Sequence, residues 1–262
     1  MQALTSLQNP LVQAARRLRD KSERDRTGAF LCEGEHMAGE AIACAPERVE
    51  TVFVDERRDF AALLDRLPFD TPVYAVPERV LAAISQVKTP QGIAAVVRQP
   101  ARATLETVGD RLVLLENVQD PGNVGTILRT LDAAGFGGCA LTPGCADPYS
   151  PKCLRATMGS IFRVPIAFVP DAAEAITALN ARGVATIAGV LDGEPFYQRR
   201  STPERVCVVI GNEGAGVTAA TANACSLRYR LPMRGGAESL NAAVAAAVFL
   251  YDILLTDELG KV

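Results

Sequence analysis

The chain is 262 residues long, 48% hydrophobic and 22% charged, enough apolar material for one large domain or two ordinary ones, and this excludes an intrinsically disordered chain. Its formal charge of −3 carries no overall signature of a nucleic-acid binder, so such a partner would have to be met by a local cluster. Seven cysteines without a Cys-x-x-Cys pair, and His36 as the sole histidine, leave no metal-ligand cluster and no Cys-His or Ser-His pair beyond what His36 itself could make.

In chain order, Asn9 and Pro10 open a predicted helix carrying Arg16, Arg17, Arg19, Lys21, Arg24 and Arg26 against three acidic residues. A solvated helix face and an RNA-contacting face both fit such a run. A strand near Phe30, a helix over 36–44, a strand at 51–54, a helix over 60–67, a strand at 73–76, a helix over 77–85 and a closing strand at 93–97 complete an α/β unit. Residues 99–106 show no clear period, which places a boundary there and gives expected domains of 1–100 and 107–262.

The second unit alternates strand and helix: strands at 112–115, 139–141, 164–168 and 185–190 and further strands at Val206 and Tyr229, with helices over 126–134, 151–158, 172–181 and 241–255. Alternation of this kind predicts a parallel sheet with helices on both faces. The N-terminus lacks an apolar signal core, and the longest late apolar run, 242–251, is too short to span a bilayer. A cytoplasmic protein without membrane contact is expected.

Three strands end in polar, glycine-rich loops. The run 112–115 feeds Asp120-Pro121-Gly122-Asn123, with a helix expected from near Gly125, Asn123 at or beside its N-cap and Arg129 about one turn in. Val206 to Ile210 is followed at once by Gly211-Asn212-Glu213-Gly214-Ala215-Gly216, and the Tyr229 strand leads through Leu231-Pro232-Met233-Arg234-Gly235 to Ser239-Leu240-Asn241 and an Ala-rich helix. Ligand crevices in open α/β sheets lie outside the carboxyl ends of the strands, so the three loops predict one shared pocket. The glycine loop has neither the Gly-x-Gly-x-x-Gly nor the Gly-x-x-x-x-Gly-Lys-Ser/Thr spacing of nucleotide-binding loops. By itself it also fits a plain tight turn.

In order and spacing these segments resemble the three motifs of the SpoU/TrmH RNA 2′-O-ribose methyltransferases of the SPOUT superfamily. The first is Asn117, Asp120-Pro121-Gly122-Asn123, Gly125 and Arg129; the second is Val209-Ile210-Gly211-Asn212-Glu213-Gly214; the third is Leu231-Pro232-Met233-Arg234-Gly235 with Ser239-Leu240-Asn241. The N-terminal third resembles the family's substrate-binding domain through Asn9-Pro10, Arg24, Gly28, Phe30, Glu33-Gly34 and Lys88-Thr89-Pro90-Gln91-Gly92. The resemblance implies a C-terminal SPOUT α/β knot, a deep trefoil around a parallel sheet, beside a smaller N-terminal α/β RNA-binding domain. It also implies an enzyme that methylates RNA with S-adenosylmethionine, first of all large-subunit (23S-type) rRNA, and a homodimer formed through the C-terminal domain.

Carried onto this sequence, the resemblance assigns Arg129, Asn123, Glu213, Ser239 and Asn241 to catalysis. It assigns Gly211, Leu231, Leu240, Met233, Ala188 and Gly189 to the cofactor, and Arg16, Arg17, Arg19, Arg24 and Arg155 to RNA. The segment Tyr149-Ser150-Pro151-Lys152 with Arg155 would touch RNA or the partner subunit. Each polar residue has a structural alternative: Ser239 or Asn241 as the N-cap of the last helix, Glu213 as a charge favouring a helix N-terminus. The competing functions are tRNA methylation, a catalytically silent RNA-binding or ribosome-assembly protein, and a dinucleotide enzyme, which the missing fingerprint disfavours.

Overall fold

Asn9, Asp120, Asp171 and Thr218 each stand just before a helix and accept a hydrogen bond from one of its first free backbone N–H groups. In two of these helices proline holds the first position, where its missing N–H costs nothing. The computed structural model describes residues 1–87, 89–199 and 203–259; Lys88, part of one segment singled out above, lies outside them. In chain order the elements are β1 (Gln2–Ala3), α1 (Pro10–Arg17), α2 (Lys21–Thr27), β2 (Ala29–Glu33), α3 (Glu35–Cys44), β3 (Val49–Asp55), α4 (Ala61–Leu64), β4 (Val73–Val76), α5 (Glu78–Ile84) and β5 (Ile93–Arg98). They continue as β6 (Arg111–Leu115), α6 (Pro121–Ala133), β7 (Gly138–Leu141), α7 (Pro151–Thr157), β8 (Ile166–Phe168), α8 (Ala172–Ala181), β9 (Ala185–Pro195), β10 (Val206–Ile210), α9 (Ala219–Ala224), β11 (Leu227–Arg230) and α10 (Ala242–Leu259).

The chain divides into two units, one of Met1–Ala101 with Asp147–Arg163, the other of Arg102–Ala146 with Val164–Val262. The segment Asp147–Arg163, placed by the sequence in the second domain, thus belongs to the first unit. Its anchors there are specific: Phe30 of β2 packs on Tyr149 and Phe162, and the Arg24 guanidinium donates to Asp147 Oδ2 through Nη2 at 2.7 Å.

The first unit holds a mixed five-stranded sheet in the order β1-β4-β3-β5-β2. Helices α1 and α5 pack on each other and bury Val12, Ala15, Val80, Leu81 and Ile84 against Phe53 and Leu31 of the sheet. The expected single basic helix is two, α1 and α2, interrupted at Leu18, Arg19 and Asp20. Gly28 ends α2 in the left-handed conformation that a residue without Cβ adopts freely.

The second unit holds a six-stranded sheet in the order β11-β9-β10-β6-β7-β8, parallel at every pairing. β10 is buried throughout and β6 from Leu112 onward, as their unbroken apolar runs require of strands covered on both faces. Leu112, Leu114, Cys207 and Val209 point toward Ile176 and Leu179 of α8; α10 packs on α6 and β10. The chain runs outward from β6 through β7 and β8 and returns to lay β9 and β10 on the other side of β6. β6 and β10, paired with Leu115 opposite Ile210, are therefore the topological switch point, and the loops leaving them start side by side.

Candidate active site

The loop after β6 begins with Glu116, a residue only 8% exposed. Three donors satisfy it: Thr218 N and Thr218 Oγ1, each at 2.8 Å, and Thr221 Oγ1 at 2.7 Å. A buried carboxylate so partnered pins the loop of one strand to the loop of the next, where an unpartnered one would be strongly destabilising. Next along the chain, Asn117 sits at φ 55° and its carbonyl accepts from Asn212 Nδ2 at 2.9 Å. Asn212 also folds its own loop, its Oδ1 accepting from Gly214 N at 2.9 Å and Ala215 N at 3.0 Å. Glu116, Thr218 and Asn212 carry no role that is visible from sequence. The one available signal was Thr218, a capping residue ahead of an Ala-rich helical stretch.

α6 begins at Pro121, four residues earlier than expected, because Asp120 is its N-cap. Asn123 is therefore inside the first turn, relieved of capping, and bridges two other residues. Its Nδ2 donates to Glu213 Oε1 at 2.9 Å and its Oδ1 accepts from Asn241 Nδ2 at 2.9 Å. Glu213 also accepts from the backbone N–H groups of Gln119 at 3.1 Å and Asp120 at 3.0 Å, beside the start of α6. Asn241 caps α10, its Oδ1 accepting from Ala243 N at 2.9 Å. One residue from each of the three loops thus meets in a single network. Burial works to raise the Glu213 pKa, but the hydrogen bonds from the Asn123 side chain and the surrounding backbone outweigh it and hold the carboxyl below its ordinary range.

Arg129 lies about two turns into α6 rather than one, is exposed, and forms no hydrogen bond or ion pair with any other described residue. Ser239 is exposed on the lining of the cleft and does not cap α10; Asn241 does.

The cleft itself, about 440 Å3, opens outside the carboxyl end of β10, beside the middle of β9 at residues 189–192 and beside β11 with the loop that follows it. Gly189, Gly211, Leu231, Met233, Ser239 and Leu240 all line it. Ala188, assigned to the cofactor above, does not: it is fully buried in β9, where its side chain can reach no ligand. Gly211 is obligatory, since a Cβ there would stand 2.1 Å from the carbonyl carbon of Gly216. Gly189 leaves room for the Phe249 ring, 3.0 Å from where its Cβ would be. On the rim Arg228 holds Asp192 through two hydrogen bonds of 2.9 and 2.7 Å. Apolar side chains, bare backbone and a few polar edges in a cleft of this size suit an adenosine-bearing cofactor.

Within the first unit, the arginines assigned to RNA separate into two groups. Arg16, Arg17 and Arg155 are exposed, with Arg17 within 3.3 Å of Glu23. Arg24 is a correction: it is 3% exposed, donates to the carbonyls of Leu18 and Arg19 at 2.7 Å each, and pairs with Asp147. Arg19 is a second correction, half-buried with its guanidinium on the carbonyls of Ala83 and Ser85 at the end of α5. Both guanidiniums are committed to backbone, which leaves them little to offer a phosphate.

The SpoU rRNA methylase family model matches residues 110–251, and a model described as an MRM3-like substrate binding domain matches residues 9–95. The chain is 36% identical over 253 residues to the 23S rRNA (guanosine(2553)-2′-O)-methyltransferase RlmP of Bacillus subtilis, covering 97% of this chain and 99% of that one. It is 31% identical to the 23S rRNA (uridine(2479)-2′-O)-methyltransferase of Streptomyces viridochromogenes, covering 90% and 85%. The crystal structure of an AdoMet-bound rRNA methyltransferase from Sinorhizobium meliloti is similar at TM-score 0.84 and 32% identity, covering 96% of this chain and 97% of that one. With its three motif loops gathered on one parallel sheet, this chain belongs to the SpoU rRNA methylase family.

Proposed function

We propose that this protein is an S-adenosylmethionine-dependent RNA 2′-O-ribose methyltransferase acting on large-subunit rRNA. The observation that carries the reading is the Glu213–Asn123–Asn241 network, which joins all three motif loops beside the cleft at the start of the helix that carries Arg129. Similarity to a 23S rRNA ribose methyltransferase over nearly the whole chain supports the substrate, and the match to a substrate-binding domain supports a role for the first unit in holding RNA.

Leu231, Met233 and Leu240 would hold the adenine, with Gly211 and Gly189 giving close access to backbone. Bound there, S-adenosylmethionine supplies a methyl carbon made electrophilic by its sulfonium. A guanidinium keeps its proton in proteins, so Arg129 is not the base. It holds the phosphate next to the reacting ribose and stabilises negative charge growing on the 2′-oxygen. The proton passes to a phosphate oxygen or water. Glu213, held ionised by its donors, fixes Asn123 and the loops rather than taking that proton. Ser239, exposed on the lining of the cleft, would be open to the incoming ribose.

The catalytic domain is proposed to thread its C-terminal segment as the family's deep trefoil, and to pair with a second copy through α10. On that helix Val244, Val248, Tyr251 and Leu255 are 41–56% exposed at spacings of four, three and four residues, one apolar stripe. A two-fold contact would place the same stripe of each copy together. Val248→Asp should then halve the mass seen by light scattering without unfolding the chain. Among the described residues no helix is long and apolar enough to cross a membrane; we place the protein in the cytoplasm with its RNA.

The decisive experiment is mapping of 2′-O-methyl sites in total RNA with and without the protein, alongside methyl transfer from labelled cofactor to rRNA and tRNA in vitro. One new site in 23S-type rRNA is expected. A tRNA site would move the substrate, and RNA binding without transfer would make the protein catalytically silent.

A further inference from the structure

A second cleft, of about 370 Å3, lies wholly within the first unit. Two sequence segments that the methyl-transfer site leaves unused, around Glu33-Gly34 and Thr89 to Gly92, come together there, joined by Arg155 and Met158 from the segment Asp147–Arg163. From the shape and chemistry of this cleft we infer that it receives a single unpaired nucleotide of the RNA, base inward and phosphate at the rim. The inference rests on RNA being the substrate.

The floor is apolar: Met37, Leu81, Ile93 and Ala94 are each no more than 5% exposed. One wall carries Glu33, whose Oε2 accepts from Ser85 Oγ at 2.5 Å and from Gln86 N at 3.1 Å, while Oε1 accepts only the 3.1 Å share of the same N–H. Two donors thus fix the carboxylate and leave Oε1 acceptor capacity for the N–H edge of a base. At the mouth stands Met158, 42% exposed and in the left-handed conformation at φ 49°. A glycine would end α7 there without strain, and residues held in that region against their preference cluster at ligand sites. Here the strain places a polarisable thioether where it can lie against an aromatic ring. His36 is tied to the same turn, its Nε2 3.4 Å from the Met158 carbonyl. Arg155, three residues before Met158, is exposed and forms no ion pair or side-chain hydrogen bond with another described residue. It supplies the guanidinium that a nucleotide phosphate needs at the rim of an otherwise apolar slot.

The chain's four methionines, Met1, Met37, Met158 and Met233, make the test direct. In full-length protein labelled with 13C on the methionine methyls, Met37 and Met158 report this cleft, Met233 the cofactor cleft and Met1 neither. Adding nucleoside monophosphates, or a single-stranded RNA hexamer, should shift Met37 and Met158 saturably, whereas S-adenosylmethionine should shift Met233. Arg155→Ala should weaken hexamer binding several-fold and lower the salt slope by about 0.7, the value for one single-strand phosphate contact. Met158→Gly should weaken binding yet leave the melting temperature equal or higher, since the turn relaxes. Unshifted Met37 and Met158 signals in a sample whose Met233 responds to cofactor would overturn the inference. So would equal shifts from ribose 5-phosphate alone, or wild-type RNA affinity in both variants. Nucleotide-dependent shifts in a protein that transfers no methyl group would leave this cleft standing and sink the methyltransferase reading instead.

Discussion

Asn241 donates through Nδ2 to Asn123 Oδ1 at 2.9 Å, tying the cap of α10 to the first turn of α6 across 118 residues of sequence. Each side chain has a second task, Asn241 capping α10 and Asn123 holding Glu213. Asn241→Ala should therefore cost about 1 kcal/mol of stability as a lost cap and also reduce methyl transfer. Asn123→Ala should reduce transfer at least about tenfold with a smaller loss of stability. Because the two residues share one network, the double variant should lose less activity than the product of the singles. A double-mutant cycle in kcat/KM that proves additive would show the network to be idle in catalysis.

Arg129 is exposed and has no partner among the described residues, so its removal should leave the fold untouched. Arg129→Ala should lower kcat by about two to three orders of magnitude, on the scale of losing one group that stabilises developing charge. Arg129→Lys should recover little, because lysine lacks the planar fork that grips a phosphate. Calorimetric affinity for S-adenosylmethionine should stay near wild type in both. Wild-type turnover in either would take Arg129 out of the mechanism.

Glu213 has a folded pKa below its ordinary value. A carboxylate shifted down contributes stability that is present above the unfolded pKa, about 4.3, and lost as pH falls through the folded value. Across pH 6–9 it stays ionised, so it should add no acid limb to the single-turnover rate. A limb with an apparent pKa near 6–7 in the wild type that vanishes in Glu213→Gln would instead make this residue the proton acceptor.

Arg24 and Asp147 form an ion pair whose side chains are 4% and 12% exposed. Removing one partner strands the other charge, so Arg24→Ala should cost about 3–5 kcal/mol in denaturant unfolding. Arg16→Ala should change stability little and weaken RNA binding with a smaller salt slope. RNA affinity that falls in Arg24→Ala protein shown to be fully folded would return Arg24 to the RNA interface.

Much of this was readable in the sequence because the physics involved is local. Apolar runs of three to five residues mark β6, β7 and β10, and the helix at 172–181 has the same limits in the structure as in the sequence. The start of α6 is ambiguous in sequence because Asn123 and Asp120 are both good caps and only the local fold decides between them. β1, two residues long, carries no period at all. In sequence Arg24 looks like part of a surface charge run, because nothing there shows that a basic residue finds its acid 123 positions away. The network around Asn123 was legible as a set of residues through the family motifs. Its wiring was not, since it depends on β6 and β10 being neighbours.

The membership of Asp147–Arg163 in the first unit also bears on how the protein is made. A ribosome delivers the chain in order, and a domain that is contiguous from the N-terminus can close while the rest is still being synthesised. Here Phe30 and Arg24 must wait for Tyr149, Phe162 and Asp147. At about 5–20 residues per second, the delay between Ala101 and Arg163 is on the order of 3–12 s. During it β2 exposes apolar surface that the finished protein covers, and by the time that surface is sealed β6, α6 and β7 have already been synthesised. The first unit therefore cannot close when its contiguous stretch 1–101 has been made, but only once residue 163 has followed it.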